Sequence, residues 1–298
     1  MTLVVAVTGD KSIWMLADRR ISFPAPGLPR DDAIKFISLE TTDGAAILGY
    51  SGLGSTKFGT EPSDWMARVL RGRNLSLEQS LREIANAVRA RLPKHLETLI
   101  DPNSRVHTII IPAFLNGQSR LYSINLKHSR EINGRSFNFT RHITNRGLPK
   151  EYPTRQVAVA GSGAVHLLGN KRWARDLLKM VAAHDAGRIS SQAVASAFAI
   201  LNNKVSRAEI TVGKKCIVAW KLIEGGGGHE FFNGIHKDNN NGLTWIPSIT
   251  NGGDITALIK ATLPLTLAFL NGPNNEIDRE AMDAALAQLP GTPDDSLS

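Results

Sequence analysis

The stretch that decides the fold is MTLVVAV (residues 1–7), followed by IWMLADRR (residues 13–20) and AIKF (residues 33–36). Thr2 stands directly behind Met1, so removal of Met1 would leave a threonine with both a hydroxyl and a free α-amine. A side-chain hydroxyl is a poor nucleophile unless a base lies beside it. An N-terminal amine can be that base, because its pKa is roughly 7.7–8.0. One residue can then supply both the nucleophile and the base.

Two further residues follow Thr2 at a characteristic spacing. Asp18 comes sixteen residues after Thr2, and Lys35 comes thirty-three residues after it. This order resembles the N-terminal-nucleophile hydrolases of the proteasome β-subunit type, which begin their mature chain with Thr and carry an Asp and a Lys at about these distances. The segment TVG (residues 211–213) is similar to the SVG of the bacterial ancestral β-subunit branch of that family. The resemblance extends over residues 2–222.

The resemblance implies a role for each of the three residues and for one glycine. Thr2 Oγ1 would attack the substrate carbonyl, and Lys35, kept cationic by Asp18, would favour ionisation of the hydroxyl. The backbone N–H of Gly52 would stabilise the oxyanion. Loss of such a donor typically costs about 10²–10³ in rate.

Two more residues take roles by the same resemblance. Tyr50 would lie near the specificity pocket, and Ser162, in Gly161-Ser162-Gly163, would hydrogen-bond around the terminal amine. Ser162 is equally well explained as the N-cap of a helix.

The chain departs from the family at one position near the site. The family has an Asp three residues before the Ser that precedes its last strand. If Thr211 takes the place of that Ser, the Asp position holds Ala208, and Glu209 is the nearest carboxylate. This departure weakens the expected network around the amine.

Strand-like and helical patterns alternate in an order that suits an α+β fold. The predicted strands are residues 3–7, 13–17, 34–39, 45–50, 106–112, 119–125, 156–160 and 211–223. The predicted helices start after Pro62, at the capping box SLEQ (residues 76–79), near residue 164 and near residue 191. The segment 127–153 is polar and is predicted to be irregular. The order of elements favours a four-layer α-β-β-α sandwich with a C-terminal extension.

The composition changes after residue 222 and suggests two parts. Residues 2–223 form the predicted hydrolase domain, and residues 224–298 form an extension with a glycine-rich linker at residues 225–228. Residues 276–289 are predicted to form an amphipathic helix, and residues 290–298 a disordered tail.

Charge, cysteine content and motif spacing exclude several other classes of protein. The net charge is +8, but the basic residues are scattered, which argues against a nucleic-acid-binding stripe. Cys216 is the single cysteine, so no intrachain disulfide can form, which fits a cytoplasmic protein. No segment is long and apolar enough to indicate a membrane span or a signal peptide. The histidines lack compact ligand spacing, and the glycines lack a nucleotide-binding pattern, so no metal or cofactor is predicted.

The interpretation that follows is a threonine-type peptidase or amide hydrolase. The resemblance implies a homo-oligomeric ring that admits peptides or unfolded proteins, and it leaves open whether an ATPase partner takes part. Two alternatives remain: a noncatalytic scaffold with the same fold, and a small-molecule amidase.

Overall fold

A computed structural model describes residues 2–21, 29–52, 61–96, 107–128, 135–142, 155–239 and 244–271. Within these residues the chain is mixed α+β and forms two sheets of six and seven strands. The first sheet has the order β11-β10-β9-β2-β1-β8. Its strands are β1 (Val4–Thr8), β2 (Ser12–Asp18), β8 (Gln156–Ala160), β9 (Lys215–Leu222), β10 (Gly227–Asn233) and β11 (His236–Lys237).

The second sheet has the order β13-β12-β3-β4-β5-β6-β7. Its pairs are antiparallel except for β12, which runs parallel to β3. Its strands are β3 (Phe36–Thr41), β4 (Gly44–Ser51), β5 (His107–Leu115), β6 (Gln118–His128), β7 (Arg135–His142), β12 (Ser248–Thr250) and β13 (Gly253–Asp254).

The helices come in two groups along the chain, with one more near its end. They are α1 (Pro62–Leu70), α2 (Leu77–Leu96), α3 (Val165–Leu168), α4 (Arg172–Asp185), α5 (Ser191–Ala208) and α6 (Ile255–Asn271). The capping box is confirmed, because Gln79 N–H donates to Ser76 Oγ at 3.4 Å and Ser76 N–H donates to Gln79 Oε1 at 3.1 Å.

Three apolar clusters hold these elements together. One packs α1 and α2 against the second sheet, with Leu81 and Ile109 among its members. A second packs α4 and α5 against the first sheet, around Trp14 and Phe198. The third joins residues of both sheets, with Met15 from β2 among its members. Because strand side chains alternate between faces, each sheet contributes to two clusters.

Three expectations about the elements are corrected. The segment 127–153 contains strand β7, whose residues 135–142 pair with β6 along its open edge. The predicted helix near residues 164–183 is divided into α3 and α4. The predicted strand 211–223 begins only at Lys215, because backbone N–H groups before it are used elsewhere: that of Gly213 donates to the Asp18 carboxylate.

The segment after residue 223 extends both sheets. Residues 227–233 pair with β9, and residues 248–250 pair with β3. Gly227 and Gly228 belong to β10, so half of the predicted linker is strand. The predicted helix at 276–289 and the tail at 290–298 lie outside the described residues.

Candidate active site

Thr2, Asp18 and Lys35 meet at one end of the first two strands. Thr2 lies just before β1, Asp18 is the last residue of β2, and Lys35 lies just before β3. Antiparallel pairing of Val4 with Ala17 brings the start of β1 beside the end of β2. All three side chains are buried, with relative exposures of 2%, 0% and 3%.

The Thr2 hydroxyl lies between the Asp18 carboxylate and the Lys35 amino group. Thr2 Oγ1 donates to Asp18 Oδ1 and accepts a hydrogen bond from Lys35 Nζ at 2.5 Å. Lys35 Nζ also contacts Asp18 Oδ1 at 3.0 Å. The three groups therefore form a closed triangle of contacts in the buried interior.

The Asp18 carboxylate is fixed by backbone N–H groups as well as side chains. Its Oδ1 accepts from Leu3 N at 2.7 Å, and its Oδ2 accepts from Arg20 N at 3.0 Å and from Gly213 N at 3.1 Å. A buried carboxylate needs such partners to offset the loss of hydration. The carboxylate therefore ties the chain around residue 213 to the hairpin that carries Thr2.

Lys35 is held from the other side by a backbone carbonyl. Its Nζ donates to the Arg20 carbonyl oxygen at 2.5 Å. The Arg20 guanidinium in turn makes two parallel bonds to Asp31, at 2.7 and 2.8 Å, and these bonds lower the pKa of the Asp31 carboxyl. Burial lowers the pKa of Lys35, and the Asp18 carboxylate opposes that effect without cancelling it. Lys35 therefore gives up its proton more readily than an exposed lysine.

Gly161 lets the segment 161–163 approach the Thr2 backbone closely. It has φ of +98°, and a Cβ at this position would lie 1.9 Å from the Thr2 carbonyl oxygen. Gly163 N–H donates to the same oxygen at 3.3 Å, and Ser162 Oγ donates to it at 3.4 Å. Ser162 therefore lies against the Thr2 carbonyl, and its predicted bond to the terminal amine stays a prediction. Ser162 is the first residue of a 3-10 turn that Gly161 precedes, so the alternative of an N-cap role for Ser162 is wrong.

A network that sequence reasoning missed continues from Ser162. Ser162 Oγ and Thr211 Oγ1 are 2.7 Å apart, and Thr211 Oγ1 donates to Glu209 Oε1 at 2.6 Å. The bond from Thr211 lowers the pKa of Glu209. His166 Nε2 lies 3.4 Å from the other Glu209 oxygen. Glu209 thus supplies a carboxylate to the network despite the Ala at position 208.

Tyr50 lies near the end of β4, and Gly52 directly follows that strand. Tyr50 N–H donates to the Lys35 carbonyl oxygen at 2.8 Å. Tyr50 is buried, and its hydroxyl lies 2.5 Å from His107 Nδ1. Gly52 has φ of +148°, a value that favours glycine. The residues that follow, 53–60, lie outside the described ranges.

Among the described residues, no group of three or more His, Cys, Asp or Glu side chains is arranged to hold a metal ion. Cys216 is buried, and desolvation raises the pKa of its thiol. No helix in the described ranges is long and apolar enough to cross a membrane.

Comparisons with known proteins give distant structural likenesses. No family model matches the chain, and no curated protein matches it. The chain is similar to an Anbu (Gly-1) mutant from Hyphomicrobium sp. strain MC1, at 13% identity and a TM-score of 0.45, over 78% of this chain and 88% of that one. It is also similar to Anbu (ancestral beta-subunit) from Yersinia bercovieri, at 13% identity and a TM-score of 0.47, over 74% and 82% of the two chains.

A third similar structure is titled as the helical assembly of the Anbu complex from Pseudomonas aeruginosa. The identity is 12%, the TM-score is 0.47, and the match covers 98% of each chain.

Proposed function

We propose that this protein is an N-terminal threonine hydrolase that cleaves amide bonds in peptides, with Thr2 as its nucleophile. The observation that carries the proposal is the position of Thr2 Oγ1, which is 2.5 Å from Lys35 Nζ and bonded to Asp18. A hydroxyl needs an adjacent base to become a nucleophile. The proposed base is the α-amine of Thr2 freed by loss of Met1, and Lys35 favours ionisation of the hydroxyl.

The proposed first step forms one bond and transfers one proton. Thr2 Oγ1 bonds to the carbonyl carbon, its proton passes to the α-amine freed by loss of Met1, and the carbonyl electron pair moves onto oxygen. The backbone N–H of Gly52 is the proposed donor to that oxygen. The carbon–nitrogen bond then breaks, the amine leaves with the proton, and an acyl ester on Thr2 remains. Water hydrolyses the ester and restores the hydroxyl.

The Ser162, Thr211 and Glu209 network is proposed to orient the Thr2 backbone and its amine. Ser162 Oγ touches the Thr2 carbonyl at 3.4 Å, and Glu209 lies two hydrogen bonds further along. In this proposal Glu209 takes the role of the Asp that the resemblance leads one to expect at position 208.

The wider proposals concern architecture and assembly. The three apolar clusters support a four-layer α-β-β-α sandwich for residues 2–223, with residues 224–298 as an extension. We further propose a cytoplasmic homo-oligomer whose subunits meet through the helical layers. The exposed side chains of Val165, Leu168 and Ile200 on one helical layer support this assignment. Light scattering at micromolar concentration tests it, and a monodisperse monomer would contradict it.

The proposal is tested by substituting the nucleophile. Thr2→Ala is expected to lower peptide hydrolysis by at least about 10³-fold, with an unchanged far-ultraviolet circular dichroism spectrum. Thr8→Val is the matched control, because Thr8 is also buried but lies at the opposite end of β1, where its hydroxyl accepts from Gln156 N–H.

Two outcomes would contradict the proposed function. One is full activity in Thr2→Ala, which would place the nucleophile elsewhere. The other is quantitative retention of Met1 by intact-mass measurement in an active preparation, because a blocked amine cannot take part in catalysis.

A further inference from the structure

His107 and Tyr50 form a buried pair beside the candidate active site. Tyr50 is in β4, and His107 is the first residue of the adjacent strand β5. The Tyr50 hydroxyl and His107 Nδ1 are 2.5 Å apart, and the two ring centroids are 5.9 Å apart at an angle of 42°. The residues are only 6% and 2% exposed, so water competes little for this bond.

The imidazole of His107 also lies directly against Gly52. A Cβ built on Gly52 would be 2.2 Å from His107 Nδ1 and 2.9 Å from Cε1. The ring therefore occupies the space that a side chain at position 52 would need. The ring contacts the backbone of Gly52 and hydrogen-bonds the side chain of Tyr50. It therefore holds both ends of the segment 50–52.

The same segment is joined to the reacting groups. Tyr50 N–H donates to the Lys35 carbonyl oxygen at 2.8 Å. A Cβ built on Gly161 would lie 3.0 Å from Ser51 Oγ and 1.9 Å from the Thr2 carbonyl oxygen, so Ser51 and Thr2 meet at one glycine. A shift of the segment would therefore change the distance between the Gly52 backbone and Thr2.

We infer that His107 is a positioning residue that holds the Gly52 backbone N–H at the distance from Thr2 that oxyanion stabilisation requires. The inference rests on the proposed function and goes beyond it, since no pattern in the sequence singles out His107. Its physical basis is that oxyanion donors act through preorganised geometry. A displacement of about 1 Å in such a site can cost on the order of 10² in rate.

The experiment measures peptide hydrolysis and boronate adduct formation at Thr2 in variants of His107 and Tyr50. The variants are His107→Leu, which removes the bond, His107→Gln, which keeps a polar group, and Tyr50→Phe, which removes only the hydroxyl. Each is assayed for kcat and KM on a peptide substrate, and for affinity toward a peptide boronate that forms a tetrahedral adduct with a nucleophilic hydroxyl. Adduct formation at Thr2 is located by mass mapping.

His107→Leu is expected to lower kcat by about 10- to 100-fold while KM changes little. Boronate affinity should fall by a similar factor, because the adduct needs the same oxyanion donor. His107→Gln should recover part of both losses, and Tyr50→Phe should lose less than His107→Leu. Tyr122→Phe is the matched control: its hydroxyl is also bonded, since it donates to Glu78 of α2 at 2.9 Å, and it should leave kcat and boronate affinity unchanged.

The outcomes separate this inference from the proposed function. Labelling of Thr2 in the wild type, with undiminished kcat and boronate affinity in the His107 variants, would overturn the inference alone. Failure of the wild type to hydrolyse peptides or to label at Thr2 would overturn the proposed function and the inference with it. If His107→Leu does not fold, the comparison of Tyr50→Phe with Tyr122→Phe decides, and equal activities in those two variants would overturn the inference.

Discussion

At the scale of single residues, the Asp18 carboxylate is the central connection of the site. It is fully buried and accepts hydrogen bonds from two side chains and three backbone N–H groups, those of Thr2, Lys35, Leu3, Arg20 and Gly213. Carboxylate oxygens only accept hydrogen bonds, so all five donors are satisfied together. An amide at this position would point donors at some of them.

Asp18→Asn is therefore expected to lower the free energy of unfolding by about 3–5 kcal/mol, because it leaves Lys35 buried without its charged partner. Urea titration measures the change. Asp32→Asn is the control, since the Asp32 side chain is 67% exposed, and it should change stability by less than about 0.5 kcal/mol. Equal stability of Asp18→Asn and the wild type would show that the buried pair contributes nothing.

Because of Lys35, the free energy of unfolding is expected to rise with pH. Its pKa is lowered by burial in the folded protein, so over the range from that lowered value up to 10.5 the unfolded chain binds more protons than the folded chain. Stability increases with pH wherever the unfolded state holds more protons. The resulting gain in the free energy of unfolding is absent below the pKa that Lys35 has in the folded protein, and it is complete above the ordinary value of 10.5.

The measurement is urea unfolding of the wild type and Lys35→Met from neutral pH to about pH 10. The stability of the wild type relative to Lys35→Met should increase across this range. Lys237→Met is the control for the loss of a lysine side chain, because Lys237 is 48% exposed. A flat difference for Lys35→Met would mean that burial does not lower the pKa of Lys35.

At the scale of elements, helix α2 is capped from two directions. The local capping box of Ser76 and Gln79 is supplemented by Asp43, from the turn between β3 and β4, whose Oδ1 accepts from Leu77 N–H at 2.8 Å. A carboxylate at a helix N-terminus also interacts favourably with the helix dipole. The turn thereby joins the helix to the second sheet.

Asp43→Ala is expected to lower the free energy of unfolding by about 1 kcal/mol, the usual cost of losing an N-cap. Thermal unfolding monitored by circular dichroism measures it. Thr42→Ala, in the same turn, is the control and should have a smaller effect. A loss in Thr42→Ala equal to that in Asp43→Ala would assign the effect to the turn and not to the helix cap.

At the scale of the whole molecule, the segment after residue 223 belongs to both sheets. It provides β10 beside β9 and β12 beside β3, and Asp254 pairs with Arg71 at 2.7 Å. Lys221 also joins the sheets through an ion pair with Glu40 at 2.5 Å. Without the extension, β9 and β3 would each present an open edge, which invites aggregation.

A chain that ends at residue 223 is therefore expected to unfold at a lower denaturant concentration and to aggregate on concentration. Urea titration and size-exclusion chromatography measure these changes. Asp254→Asn in the full chain is the milder comparison and should show a smaller loss of stability without aggregation. A shortened chain as stable as the full one would support residues 2–223 as an independent domain.

The sequence by itself determined the features that depend on neighbours along the chain. The hairpin of β1 and β2 follows from two apolar runs around a short turn, and the capping box predicts the start of α2 because both rest on local spacing. The placement of Asp18 and Lys35 relative to Thr2 came from a resemblance, and the structure brings their side chains together.

Only the tertiary structure decided the contacts between distant segments. His107 reaches Tyr50 across 57 residues, and Thr211 reaches Ser162 across 49. The lowered pKa of Lys35 is likewise a consequence of burial, which no local pattern reports. Strand β7 was missed because its sequence is polar, and an open edge of β6 pairs with it. Such contacts depend on how sheets pack and which edges are free, and the order of residues along one segment does not specify either.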